Sequence, residues 1–552
     1  MKRANSIFTI FFFVGLLLIT TSCQDFLDTD SNRVMLSDDN VINSANDTVY
    51  SIIGILSKVQ KLSDKYVLMG ELRADLMTVT NLSKSELRDL NNFQVDTATS
   101  SFSDVKDYYA VINNCNYFIQ KADTNIATMG SKPFVKEMAI VKSIRAWTYL
   151  QLVLNYGKAT YFDKPLITIQ DANETFPEYN LQQIIDVLIA DLMPFAETEY
   201  PKYGTINGAE SKRLFVNTKF LLGDLYLWKA SLNGGNVSDY EQAATYYASL
   251  IKSGQYVVQP NDAMKWSNIN FTSYYNSWSN ILYSAIGSNE LITTVKLSSS
   301  SIYGVSTSLN ELSANYELTT TTQFEDLFAM QMYSFPNTAK NPVIPAYFVG
   351  DLRLYGTVSA TIDGYSVDGK VLETGSNIIT KFSQYNVNIY RTGLLYLRYA
   401  EAVNRIGKPG LAFAVLKYGL NPTTLADVKK IPARDLIPSQ PYIEVFNNAN
   451  FANNVGVHNR GCGSSDINKL YVIPLTVTTQ TDSILYVENA ITDELALETG
   501  LEGNRFHDLM RISNYRNSPA YLAQKVASKH SDYNRIYNLL INPNNWFVPI
   551  KK

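Results

Sequence analysis

In several segments between residues 49 and 406 the apolar positions of this chain recur at helical spacing. Val49, Ile52, Ile53, Leu56 and Val59 fall on one helix face, and Ile140, Ile144, Trp147, Leu150 and Leu154 do the same in a longer helix. Tyr240, Ala243, Ala244, Tyr247, Leu250 and Ile251 follow offsets of 0, 3, 4, 7, 10 and 11, a packed helical stripe and not a strand. Leu395, Tyr399, Ala402 and Ile406 make another, stopped by Gly407 and then Pro409. Between about residues 260 and 390 the helical period fades. Short β-favouring runs such as Leu291-Ile292-Thr293-Thr294-Val295 and Tyr365-Ser366-Val367 sit there among Ser, Asn, Thr and Gly-rich connections. The pattern predicts a mainly α protein carrying a loop-rich, minor-β insertion, and loops on a rigid frame are common places for binding sites.

Two of the helices resemble a tetratricopeptide unit, a helical hairpin in which small residues allow close approach. Leu222-Gly223-x-x-Tyr226 fits its first helix, and Ala244-x-x-x-Ala248 with Tyr247 and Leu250 fits its second. The loop Leu232-Asn233-Gly234-Gly235-Asn236 absorbs the extra length between them. The match supports helical hairpins, not a regular solenoid.

The N-terminus carries another signal. Lys2 and Arg3 precede a 13-residue apolar run, residues 7–19, which is followed by Thr20-Thr21-Ser22-Cys23. The run is short for a permanent membrane helix, and small residues before a cysteine suit cleavage in front of a lipid-modified thiol. Cys23 is therefore expected to be the first mature residue, acylated and holding the protein on a bacterial membrane. The polar stretch 24–46 reads as a tether. Net charge is only -4, without long blocks of one sign, so nothing suggests a nucleic-acid partner. Cys115 and Cys462 stand far apart without metal-ligand spacing and are expected to be buried free thiols. The chain has three histidines and no HExxH, GxSxG or phosphate loop, so no enzyme is predicted, and no cofactor or metal.

Several local motifs resemble the SusD/RagB family of nutrient-binding outer-membrane lipoproteins. Cys23-Gln24-Asp25-Phe26-Leu27-Asp28 is similar to the CxDFLD start of that family, and Glu71-Leu72-Arg73-Ala74-Asp75 and Tyr109-x-x-Ile112-x-x-Cys115-Asn116 follow in order. Arg145-Ala146-Trp147-x-Tyr149-Leu150 with Tyr156-Gly157 resembles the RAxxYFxLxxxYG helix. Leu397-Arg398-Tyr399-Ala400-Glu401-Ala402-Val403-Asn404 resembles the LxYAEAxN helix, and residues 502–511 the EGxRWxDLxR segment. Val105, Leu495 and Phe506 depart from the family pattern at positions read as structural. Arg505, Asp508 and Arg511 lie three apart, so they share a helix face and are expected to form charge-assisted bonds.

The resemblance implies an α-α superhelix of tetratricopeptide-like hairpins. It also implies a lid-like partner for a TonB-dependent, SusC-like β-barrel transporter, capturing an oligosaccharide at the outer-membrane surface. A peptide-binding lid of the same type, or an adhesive surface lipoprotein without an import role, are the alternatives. The organisation expected is a signal peptide at 1–22, a lipid-anchored tether at 23–46, a helical region at 47–259, a ligand-binding insertion at 260–390 and a C-terminal region at 391–552 that completes the scaffold.

Composition adds 37 Tyr, 25 Phe and 5 Trp. Aromatic faces interleaved with amides can stack sugar rings and pair their hydroxyl groups. The window 266–283 has that composition, and Trp266, Tyr274, Tyr275, Asn276 and Trp278 are its candidate ligand contacts. Asn81 is a further candidate, with Arg73 and Arg88 nearby and Asp75 expected to brace the adjoining loop. Residues 457–463 are glycine-rich and are read as a plain surface loop.

Overall fold

The computed structural model describes residues 45–122, 124–125, 133–206, 208–259, 290–299, 304–337, 344–360, 366–367, 370–371, 376–383, 385–462 and 470–551. Cys23, Trp266, Tyr274, Tyr275, Asn276 and Trp278 lie outside the described residues.

The chain opens with α1 (Ala45–Gln60) and α2 (Ser63–Glu71), then the short strand β1 (Met77–Val79) and α3 (Ser85–Asn91). A run of longer helices follows: α4 (Lys106–Lys121), α5 (Pro133–Tyr156), α6 (Leu181–Leu192), α7 (Thr218–Leu232) and α8 (Val237–Ile251). Each packs on the next. Their starts are chemically set. Asn180 and Gln183 form a reciprocal capping box at α6, while Asn217 and Asn236 accept backbone N–H groups at α7 and α8.

The α7–α8 hairpin explains its small residue. A Cβ added to Gly223 would lie 2.4 Å from the Tyr247 ring, so glycine lets that ring lie against the α7 backbone. Phe220 of the same helix stacks on Tyr390 with centroids 4.0 Å apart.

After residue 290 the chain alternates short strands and helices, including β2 (Leu291–Lys296), α9 (Leu309–Ala314) and β3 (Leu318–Thr320). It returns to helices at β4 (Asn386–Arg391), α10 (Thr392–Arg405), α11 (Pro409–Lys417), α12 (Gln480–Thr499), α13 (Arg505–Tyr515), α14 (Pro519–Ala527) and α15 (Tyr533–Leu540). Helix α10 packs between α8 and the α11/α12 pair, so the hairpin layer continues across the irregular stretch. Every sheet among the described residues has two strands; β1 pairs antiparallel with β3, and β2 with β4. The fold is thus the mainly α superhelix with minor β that the sequence predicts. No helix among the described residues is long and apolar enough to cross a membrane.

The predicted stripes of α5 and α8 are buried throughout. In α1 the stripe splits: Ile52 and Val59 are buried, but Ile53 is 39% exposed. Cys115 and Cys462 are buried, and neither belongs to a disulfide. Phe506 is fully buried, its ring 4.3 Å from the Arg73 guanidinium carbon, a contact that an aromatic of either size can make.

The surface-loop reading of 457–463 is corrected as far as residue 462. His458, Asn459 and Arg460 are buried, because Arg460 donates to Glu290 (2.7 Å) and Glu498 (2.6 Å) and the His458 ring stacks between Tyr333 and Tyr471. A sequence of mixed polarity hid a loop that is held inside by charge.

Candidate ligand-binding site

A buried polar frame carries the site. At the end of α2, Glu71 accepts backbone N–H groups from Leu501 (3.1 Å), Gly503 (2.7 Å), Asn504 (3.0 Å) and Arg505 (3.3 Å), so a side chain of the second helix caps the start of α13. Burial pushes the Glu71 carboxyl up to about 7, with the Gly503, Arg505 and Leu501 amides pulling the other way. Asp75 receives both arms of the Arg505 fork, at 2.7 and 2.8 Å. Arg511 makes the same two-armed contact with Glu401 (2.9 and 2.6 Å) and donates to Asp508 at 3.0 Å, as the shared helix face predicts.

Lys529 closes the frame, donating to the carbonyls of Leu72 (2.6 Å) and Met77 (2.9 Å) at either end of the α2–β1 connection. Burial lowers its ammonium to about 7, with Asp75 and Glu71 opposing. Between that value and the ordinary lysine value of 10.5 the unfolded chain holds a proton that the folded chain does not. Stability therefore rises with pH across this window. The expected result is that wild type gains on Lys529→Met by at most about 1.4 kcal/mol for each pH unit between 7 and 9. Urea midpoints at the two pH values read this, and parallel shifts in both proteins would contradict it.

On this frame sit two turns. In turn 80–84, the Ser83 hydroxyl accepts from the Thr80 N–H (2.8 Å), while Thr80 and Ser83 donate to the carbonyls of Tyr316 and Glu317, both at 2.5 Å. The Lys84 N–H donates to the Glu317 carboxylate at 3.0 Å. The facing turn ends α9: Glu317 N–H reaches back to the Leu312 carbonyl (2.8 Å), which places Tyr316 at the left-handed cap with φ +54°. Glycine usually fills that position, because a side chain there costs about 1–2 kcal/mol. Tyr316 is half-buried there, and the exposed Asn81 follows Thr80, the residue that donates to the Tyr316 carbonyl.

Next to these turns lies a polar cleft of about 370 Å³, lined by Lys61, Asp64, Lys65, Lys84, Glu86 and Ser308 among others. Two of its acids are fixed: Asp64 accepts from the Ser308 N–H and hydroxyl, both at 2.7 Å, and Glu86 from the Ser100 hydroxyl at 3.1 Å. Lys65 donates to the Ser101 and Asp104 carbonyls (2.8 and 2.7 Å), and burial lowers its pKa against the opposing pull of Asp104. A preset array of donors and acceptors suits a ligand rich in hydroxyl groups.

Of the candidates read from sequence, Asn81 and Arg88 are exposed, and neither lines the cleft. Arg73 and Asp75 are not available. Arg73 is buried against Asn155 (2.6 Å) and the Trp546 carbonyl (2.8 Å), and the Asp75 carboxylate is structural through the distant Arg505. Sequence reading missed Tyr316, Lys61, Asp64, Lys65 and Glu86. The one available signal was a six-residue helix ending in Asn315-Tyr316 with no glycine to cap it.

A sequence profile of the SusD family matches residues 246–552. SusD-like protein P25 of Formosa agariphila is 25% identical over 243 residues, 41% of this chain and 44% of that protein, so the match spans under half of that relative's length. SusD-like protein P38 of the same organism is 21% identical over 476 residues, covering 79% and 87%. Among solved structures, a SusD superfamily protein from Bacteroides vulgatus superposes with a TM-score of 0.59 at 16% identity, over 92% of this chain and 96% of that one. A candidate sugar-binding protein from the same organism gives a TM-score of 0.55 at 18% identity, over 92% and 98%. With the profile matched across more than half its length and this fold behind it, the chain belongs to the SusD family.

Proposed function

We propose that this protein is a surface glycan-binding lipoprotein, anchored through Cys23 in the outer membrane, that captures an oligosaccharide and delivers it to a TonB-dependent, SusC-like barrel without making or breaking a bond. Family membership supports the binding role, and the sugar-binding assignment of a fold neighbour supports the ligand class. The observation that carries the reading is the polar cleft lined by Lys61, Asp64, Lys65, Lys84 and Glu86, with Asp64 and Glu86 held by hydrogen bonds and Tyr316, on the turn that ends the neighbouring α9, held against backbone preference. The aromatic window 266–283, with Trp266 and Trp278, is proposed as a second contact region.

The test is calorimetric titration with a panel of oligosaccharides, followed by Tyr316→Gly. Glycine relieves the left-handed strain, so stability should stay within about 1 kcal/mol of wild type while affinity falls roughly tenfold, the loss of a stacking contact of about 1.4 kcal/mol. Unchanged affinity would remove this cleft from the site. Delivery is tested separately, by mild-detergent pull-down of the tagged protein from its own membrane: a large β-barrel in near-equal amount is expected, and recovery of the lipoprotein alone would overturn the transport role.

A further inference from the structure

The polar cleft holds more cationic donors than the protein itself uses. Four of its lining side chains, Leu68, Leu87, Phe102 and Leu312, are buried and apolar, a surface for the CH face of a sugar ring. The charged groups that line it balance in number: Lys61, Lys65, Lys84 and Lys106 against Asp64, Glu86, Asp104 and Asp107. Their bonding does not balance.

The acids are largely spent on the walls. Asp64 puts one oxygen on the Thr307 hydroxyl and the other on the Ser308 N–H and hydroxyl, which ties α2 to the start of α9. Glu86, in α3, puts one oxygen on the Ser100 hydroxyl and the Ser101 N–H. Asp104 accepts from the Lys106 N–H at 2.9 Å and pairs with the Lys106 ammonium at 3.0 Å, so that pair closes on itself. The other three lysines are open. Lys61 is exposed and has no side-chain hydrogen bond or ion pair among the described residues. Lys65 spends two of its three donors on the Ser101 and Asp104 carbonyls and keeps the third. Lys84 is 72% exposed and reaches only Glu317, at 3.4 Å, a residue that does not line the cleft. Against three open ammoniums stand Asp107 and the second oxygen of Glu86, and neither acid forms an ion pair with any of them among the described residues.

We propose that the glycan taken by this cleft is acidic, a uronate- or sulfate-bearing oligosaccharide whose anionic oxygens meet Lys61 and Lys65 while a ring lies on the apolar lining; this rests on the reading of the cleft as the glycan site. A neutral hydroxyl can also accept from an ammonium. A carboxylate or sulfate adds attraction between opposite charges, and at a half-buried group such as Lys65 salt screens that attraction less than at an open surface. The two anionic groups share this chemistry, and the choice of probes separates them.

The test is an array screen of the full-length lipidated protein in detergent, with galacturonate oligomers beside their methyl esters and sulfated galactan oligomers beside their desulfated forms. The acidic member of at least one pair is expected to bind at least tenfold more tightly than its neutral counterpart. Which pair responds tells carboxylate from sulfate. Titration with that ligand then reads the variants. Lys61→Gln should weaken it about fivefold and flatten the loss of affinity between about 50 and 500 mM salt, and Lys61→Arg should restore both. Lys158→Gln, the same charge change at a lysine outside the cleft, should do neither. Neutral members binding as tightly as acidic ones, or Lys61→Gln and Lys158→Gln acting alike, would overturn the acidic assignment and leave the glycan reading standing. Binding to no member of the array would overturn both.

Discussion

Replacing Arg391 by Met is expected to cost at least 4 kcal/mol and to leave little folded protein at neutral pH. Arg391 is buried at the β4–α10 junction, where its Nε donates to Glu502 (2.7 Å) and its Nη1 to both Glu290 (2.8 Å) and Glu498 (2.7 Å). Arg460 bonds the same Glu290 and Glu498, and Arg353 joins Glu498 (2.8 Å) to Glu494 (2.6 Å) and Asp351 (2.7 Å). With Lys381 at Glu502, four cations face five carboxylates. Losing one cation tips a buried network further toward uncompensated negative charge, and breaking even a simple buried pair costs about 3–5 kcal/mol.

The sign of the pH response separates this from a mere packing defect. Burial alone would raise the Glu498 carboxyl, but Arg460, Arg391 and Arg353 outweigh it and hold it well below the usual carboxylate range. In wild type its contribution is therefore intact above the unfolded value near 4.5 and is lost only as pH falls further. In Arg391→Met the stranded carboxylates favour the protonated form, so stability should increase as pH falls from 7 toward 5. Arg391→Lys keeps the charge but loses the fork and should fall between the two. Urea midpoints across that range check all three, and a flat response in Arg391→Met would contradict the charge argument.

That network also shows what the sequence could and could not reveal. The stripes of α5 and α8 are legible because burying one helix face requires a 3.6-residue repeat, and the α7–α8 hairpin is legible because Gly223 has to make room for Tyr247. The Arg505, Asp508 and Arg511 spacing gave their shared face for the same local reason. The burial of residues 457–462 was not legible. It depends on Arg460 meeting Glu290 and Glu498, partners 170 and 38 residues away that no local pattern announces. The cleft is similar: Asp64 meets Ser308 and Thr80 meets Tyr316 across more than 230 residues, and only Asn81 carried a composition worth noticing beforehand.

Gly70→Ala should destabilise by about 3–5 kcal/mol, although alanine is the better helix former by nearly 1 kcal/mol. Gly70 lies in α2, where a Cβ would stand 1.9 Å from the Gly503 carbonyl oxygen and 2.4 Å from its carbon. These are backbone atoms, and the turn cannot swing clear on its other side. Gly503 itself has φ +96° and lies against the Tyr66 ring. Restoring ordinary contact would push the turn back by about 1.5 Å, and overpacking of this kind costs about 1–3 kcal/mol.

The same displacement pulls the turn's N–H groups from the Glu71 carboxylate, whose hydrogen bond to Gly503 is 2.7 Å. Bonds to a charged acceptor are worth about 1.5–3 kcal/mol. Steric and hydrogen-bond losses together exceed the propensity gain several-fold. Gly54→Ala in α1 is the control, since its added Cβ meets nothing within 4 Å; it should stabilise by about 0.5–1 kcal/mol. Denaturant midpoints of the pair should move in opposite directions. Because Glu71 and its turn support the α2–β1 connection on which turn 80–84 is built, Gly70→Ala should also weaken ligand binding under conditions where it remains folded, while Gly54→Ala should leave affinity alone. Equal and opposite shifts in stability with no loss of affinity would mean that the cleft is held by the β1–β3 ladder alone.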